Sequence, residues 1–141
     1  MNNRISRPLE NVKYITLPKI TDSRGSLSFV EANNHIPFDI KRVYYLYNVP
    51  SSAERGGHAH INLHQLIIAS SGSFDLVLDD GFEKKTFKLS DPSIALYICP
   101  MIWRDIVNFR PGSVCLVLAS MPYDENDYIR EYAQFIQPNH V

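Results

Sequence analysis

The residues whose types and spacing can do chemistry lie in Arg55-Gly-Gly-His-Ala-His60. On an extended backbone, residues two apart point to the same face, so His58 and His60 project together. His64 keeps that parity if the strand continues without a bulge. Three of the five histidines of the chain thus fall within seven residues. Neutral imidazoles in such a cluster can accept and return a proton near neutral pH, or ligate a divalent metal. Gly56 and Gly57 let the backbone bend or a ligand come close. Arg55 beside them suits an anionic group such as a phosphate. A single strand histidine is ordinarily a surface polar residue. The pair, flanked by an arginine and two glycines, points to a working site.

The elements that must position this segment read as short strands broken by turns. Val12–Leu17, Ser26–Glu31, Lys41–Val49, Leu63–Ala69, Ser73–Leu78, Phe82–Leu89, Ile94–Cys99 and Val114–Ser120 are rich in β-branched, aromatic or alternating apolar residues. Asp79-Asp80-Gly81 is a strong hairpin signal. Only Asp124–Ile136 carries helical spacing, with Asp124 as N-cap and an acidic exposed face. Eight or nine strands with frequent turns imply an antiparallel sandwich or jelly-roll barrel with a short C-terminal helix. The mouth of such a barrel admits one small ligand.

The 141 residues, 45% of them hydrophobic, fit a single domain over 1–141. A net charge of −1 and scattered basic residues exclude the usual footprint of nucleic-acid or membrane-surface binding. The polar start, Met1 to Pro8, lacks the apolar run of a signal peptide, and no run is long enough to span a bilayer. Cys99 and Cys115 sit in apolar strands and read as buried free thiols. The expected compartment is the cytoplasm. His35 and His140 read as surface residues.

His-x-His followed four residues later by a third ligand is how metal sites of the cupin barrels begin. In that pattern a glutamate stands where this chain has His64, and the second motif supplies a histidine four residues before an asparagine. Here the second motif reads Pro100-Met-Ile-Trp-Arg104-Asp-Ile-Val-Asn108. The spacing fits, but Arg104 replaces the ligand, and a guanidinium cannot ligate. Two chemistries remain open. One is a metal held by His58, His60 and His64; the other, which Arg104 favours, is metal-free proton transfer. A neighbouring arginine keeps an imidazole neutral, as a base requires.

Stretches running in order from about residue 14 to 136 resemble the dTDP-4-keto-6-deoxyglucose 3,4-ketoisomerases, small cupins of bacterial deoxysugar pathways. They are Asp22-Ser-Arg-Gly-Ser-Leu27, Ile36-Pro-Phe-Asp-Ile-Lys-Arg-Val-Tyr-Tyr45, Arg55–His60, Gly72-Ser73, Leu78-Asp-Asp-Gly81, Trp103, Leu116-Val-Leu-Ala-Ser120 and Tyr123-Asp-Glu-Asn-Asp-Tyr-Ile-Arg130. The resemblance implies a homodimer of cupin barrels that binds a dTDP-linked 4-keto-6-deoxyhexose and needs no metal or other cofactor. It implies a reaction that moves the ketone from C4 to C3 through an enediol.

By position, the resemblance makes His58 and His60 the catalytic histidines, with His60 the better candidate for the base. Arg55 would meet the diphosphate or the enediolate oxygen. Tyr45 and Tyr47 share a strand face and would line the sugar pocket or sit in the core. Arg24 and Arg104 complete the expected substrate-binding set. Some family members carry histidine where this chain has Arg104, which leaves the galacto or gluco configuration of the product open. Alternatives are 3,5-epimerisation of the same substrate, a non-catalytic nucleotide-sugar binding module, and a metal-dependent cupin oxygenase.

Overall fold

In the computed structural model, which describes residues 7–137, the chain forms the antiparallel jelly-roll barrel expected of its strand pattern. One sheet has the order β1-β9-β6-β11-β4, with β1 Lys13–Thr16, β9 Ile94–Ile98, β6 Gln65–Ser71, β11 Val114–Ala119 and β4 Arg42–Leu46. The other runs β12-β5-β10-β7-β8, with β12 Tyr128–Ile129, β5 Arg55–His60, β10 Trp103–Val107, β7 Phe74–Asp79 and β8 Lys84–Leu89. Every ladder is antiparallel. A separate hairpin pairs β2 Lys19–Asp22 with β3 Gly25–Ser28.

Sequence pattern explains these places. β6 is central in its sheet, so its run from Gln65 to Ala69 is buried on both faces. The β7–β8 hairpin closes on Asp79-Asp80-Gly81, where the Asp80 carboxylate accepts the Phe82 and Glu83 N–H groups, each at 2.9 Å. Leu66, Ile67, Leu76, Leu78, Leu96 and Ile98 pack between the sheets as the main core. Cys99 and Cys115 are free and buried, as expected. His140 lies outside the described residues.

The tail departs from expectation. Asp124 caps a single 3-10 turn, Glu125–Asp127, by accepting the Asn126 N–H at 3.0 Å. The chain then extends, and β12 pairs Tyr128 with His60 and Ile129 with Ala59. The helix α1 is only Tyr132–Phe135. Pairing decides the outcome, because β12 satisfies the open backbone groups on the edge of β5, whereas an isolated helix of this length is marginal in water. Ile129 and Phe135 then bury themselves against Ala59 and Trp103.

β5 and β10 meet at an irregular step. Arg104 lies opposite His58, and Asp105 opposite Gly56, so Gly57 is the extra residue of a bulge. Both glycines have positive φ, +91° at Gly56 and +72° at Gly57. A Cβ at Gly56 would stand 2.7 Å from the Arg104 carbonyl oxygen, whereas one at Gly57 meets nothing nearer than 3.9 Å. Gly56→Ala should therefore cost about 2–4 kcal/mol in stability, against about 1 kcal/mol for Gly57→Ala. Urea denaturation of the two variants checks the order; equal midpoints would contradict the close approach.

Candidate active site

A cavity of about 520 Å³ opens between the two sheets. Alternation along each strand decides what enters it. From β4 come Arg42, Tyr44 and Leu46; from β5 and the residue before it, Glu54, Arg55, Gly56 and His58. β6 contributes Gln65 and Ile67, β10 Arg104 and Ile106, β11 Val117, and the tail Tyr128 and Arg130.

His58 stands on the cavity wall and His60 lies behind it, 1% exposed, with the two rings edge to face at 4.8 Å between centroids. Tyr128 packs against both, at 5.0 and 4.4 Å. His60 Nδ1 is 3.1 Å from the Asp127 carboxylate, whose other oxygen accepts the Asn62 N–H at 2.7 Å. A carboxylate only accepts, so Nδ1 carries the imidazole proton. His60 Nε2 is then a lone-pair acceptor, buried and without a hydrogen-bond partner. Burial first, and the Arg104 charge second, hold His58 down to about 4 and push His60 lower still.

Arg104 is 2% exposed. It donates through Nη1 to Gln65 Oε1 and through Nη2 to the Ile102 carbonyl at 3.1 Å. Its Nε has no partner, and among the described residues no carboxylate lies within ion-pair distance of it. Gln65 Nε2 donates to the Tyr44 hydroxyl at 2.8 Å, and burial keeps that phenol protonated by raising its pKa. At the mouth, Arg130 lies 4.1 Å over the Tyr128 ring and is held by Glu125, while Arg42 lies over Tyr44 and Tyr123.

The structure brings His58, Arg55 and Arg104 to one cavity, with His60 in contact behind. It does not bring the others. Tyr45 and Tyr47 do share a face, 5.7 Å apart, but it is the outer face of the barrel, where they are 58% and 60% exposed. Their neighbours of opposite parity, Tyr44 and Leu46, line the cavity instead. Arg24 sits at the tip of the β2–β3 hairpin, 88% exposed and paired with Asp22 at 2.7 Å. His64 follows a turn that breaks the parity of β5, and its Nδ1 meets the Tyr97 hydroxyl at 2.6 Å. The three-histidine ligand set is therefore not assembled, and no group of three or more His, Cys, Asp or Glu side chains suited to a metal occurs among the described residues.

Arg42, Tyr44, Gln65, Asp127, Tyr128 and Arg130 are the site residues that spacing did not reveal. Strand parity could have found Tyr44 beside Arg42. Asp127 comes from 67 residues away, and no local signal marks it.

Fold and cavity define a cupin-type sugar-isomerase barrel. The model of the family described as FdtA (WxcM-like, C-terminal) matches residues 10–140, and the chain belongs to that family. It is 45% identical over 127 residues to the TDP-4-oxo-6-deoxy-alpha-D-glucose-3,4-oxoisomerase of Aneurinibacillus thermoaerophilus, covering 90% of this chain and 91% of that protein. Among solved structures it is similar to QdtA, a sugar 3,4-ketoisomerase from Thermoanaerobacterium thermosaccharolyticum in complex with TDP. There the identity is 47% and the TM-score 0.89, over 91% of this chain and 93% of the other. It is also similar to the WlaRB TDP-quinovose 3,4-ketoisomerase of Campylobacter jejuni, at 46% identity and TM-score 0.87, over 90% and 98% of the two chains. This chain is an isomerase of that group.

Two buried neutral imidazoles have a consequence for stability. With folded pKa values below the ordinary 6.5, they stay neutral while the unfolded chain takes up protons. Stability is thus fully present above pH 6.5 and declines as pH falls toward 4. Denaturation midpoints measured across that window should show the decline, and the His58→Asn/His60→Asn double variant should flatten it.

Proposed function

We propose that this chain converts a TDP-linked 4-keto-6-deoxyglucose to the 3-keto sugar by proton transfer at His58. The observation that carries the reading is a neutral imidazole set directly across the β5–β10 ladder from a buried guanidinium that, among the described residues, has no carboxylate in ion-pair contact. The exposed Arg55 and Arg130, with the half-buried Arg42 beside them, suit the diphosphate, which leaves the hexose toward His58, Tyr44 and Arg104. Similarity to enzymes named for TDP-sugar ketoisomerisation supports the choice of substrate.

The balance of the reaction is simple. The C3 hydrogen leaves as a proton to His58, and its electron pair forms the C3–C4 double bond while charge moves to O4. Arg104 stabilises that charge. O4 takes a proton to give the enediol; the ketone then forms at C3 as O3 gives up its proton and C4 takes the one delivered to it. Nothing is oxidised or reduced overall. His60, oriented by Asp127, supports the His58 ring from behind; it is His58 that lines the cavity, and the proposal therefore takes His58 as the base where the resemblance had favoured His60.

The barrel works as a single domain and a homodimer in the cytoplasm. Support for the dimer is the exposed apolar hairpin, with Ile20 at 62% and Leu27 at 56%, together with Val43 and Tyr45 on the free edge strand β4 and Tyr47 just beyond it. Among the described residues no helix is long and apolar enough to cross a membrane. Light scattering after gel filtration should give twice the chain mass, and Ile20→Lys/Leu27→Lys should lower it.

Incubation with TDP-4-keto-6-deoxyglucose in deuterated water, followed by NMR, tests the reaction. The carbonyl should move from C4 to C3 with deuterium entering at C4. Deuterium at C5 would mark an epimerase, and TDP binding without exchange a binding module. His58→Asn should lower kcat by about 10³-fold. The acid limb of kcat/KM should fall near pH 4, not near the 6.5 of an ordinary histidine.

A further inference from the structure

Gln65 is 1% exposed and sits on β6, the central strand of its sheet, between two groups of the cavity wall. Its amide contacts Arg104 on one side and the Tyr44 hydroxyl on the other. Chemistry alone orients that amide. A guanidinium has only donors, so Oε1 must face Arg104 and the NH₂ group must face Tyr44. The Tyr44 oxygen accepts from Gln65, so its own proton points elsewhere. Among the described residues no protein atom accepts it, and Tyr44 lines the cavity.

We infer that Gln65 is a positioning residue for the reaction: its neutral amide orients the Arg104 guanidinium without neutralising it, and turns the Tyr44 hydroxyl proton toward the bound sugar. This rests on the ketoisomerase reading above. A glutamate at 65 would have nearly the same shape and the opposite effect. Its carboxylate would pair with Arg104 and would accept the Tyr44 proton, so the cavity would lose both its unpaired guanidinium and its hydroxyl donor. A merely space-filling role would not distinguish the amide from the carboxylate in this way.

Gln65→Glu is the test, with urea denaturation and TDP titration calorimetry as controls for fold and nucleotide binding. The affinity for TDP and the KM should stay within about threefold of the wild type, while kcat falls about 100-fold. The acid limb of the pH profile should move upward, because a carboxylate beside Arg104 removes part of what holds His58 neutral. ¹⁵N NMR of the histidine ring reads the same upward shift in the free protein, independent of turnover. Gln65→Met, which keeps the length and removes both hydrogen bonds, should also lose kcat without losing TDP, and it decides the matter if the glutamate variant does not fold. Retention of kcat within about threefold in both variants would overturn the proposal. Loss of TDP binding in step with kcat, with an unmoved histidine titration, would overturn it as well. A wild-type protein that fails to convert the substrate defeats the ketoisomerase reading itself. The histidine shift in Gln65→Glu then still reports whether the amide protects the Arg104 charge.

Discussion

A guanidinium buried among apolar walls is costly unless something answers its charge. In this barrel Arg104 meets an amide and a backbone carbonyl, and no carboxylate among the described residues lies within ion-pair distance of it. Much of the cavity follows from that. The two histidines nearest it cannot also be cations, since burial and the Arg104 field both disfavour their protonation. Tyr44 stays a phenol, and the polar side chain beside Arg104 is an amide. On the proposed reading the charge is thereby held in reserve for a ligand oxygen that becomes negative during the reaction, the condition under which electrostatic stabilisation acts on the transition state more than on the bound substrate.

The tail makes this arrangement possible from outside the main sheets. Because Tyr128 and Ile129 extend along β5 instead of coiling, successive residues take different duties. Asp127 reaches the back of His60, Tyr128 lies against both imidazoles, and Ile129 enters the small core with Ala59 and Trp103. Arg130 returns to the mouth, where Glu125 fixes it. A continuous helix would have put Asp127 and Arg130 on adjacent positions of one face and denied β5 its edge partner.

Legibility of the fold and the site divides along the range of the interactions. Strand alternation and turn chemistry are local, so the barrel, the β7–β8 hairpin and the common face of His58 and His60 could be read directly. Parity is also local, yet it misled at β4. Val43, Tyr45 and Tyr47 look as inward as Arg42, Tyr44 and Leu46 when the outer face is itself apolar. The tail misled for the opposite reason: its helical spacing was real, but pairing with β5 outweighed it. His64 shows the limit of extrapolated parity, since the turn after His60 resets it. Asp127 and Gln65 matter only through partners 67 and 39 residues away, and no spacing rule carries that far.

Depth separates the positive charges of the cavity, and the proposed chemistry depends on this separation. A TDP-linked substrate brings a diphosphate that any accessible arginine would bind. If the phosphates reached Arg104, its charge would be spent in the ground state, and binding would tighten without lowering the barrier. On the proposed reading the exposed Arg55 and Arg130, with the half-buried Arg42, meet the phosphates first. Arg104 lies beyond them, 2% exposed and fixed on a central strand with Gln65 against it. On the proposed reading the order of groups along the cavity, accessible cations and then a neutral imidazole facing a buried cation, assigns the permanent negative charge to the rim and the transient one to the interior.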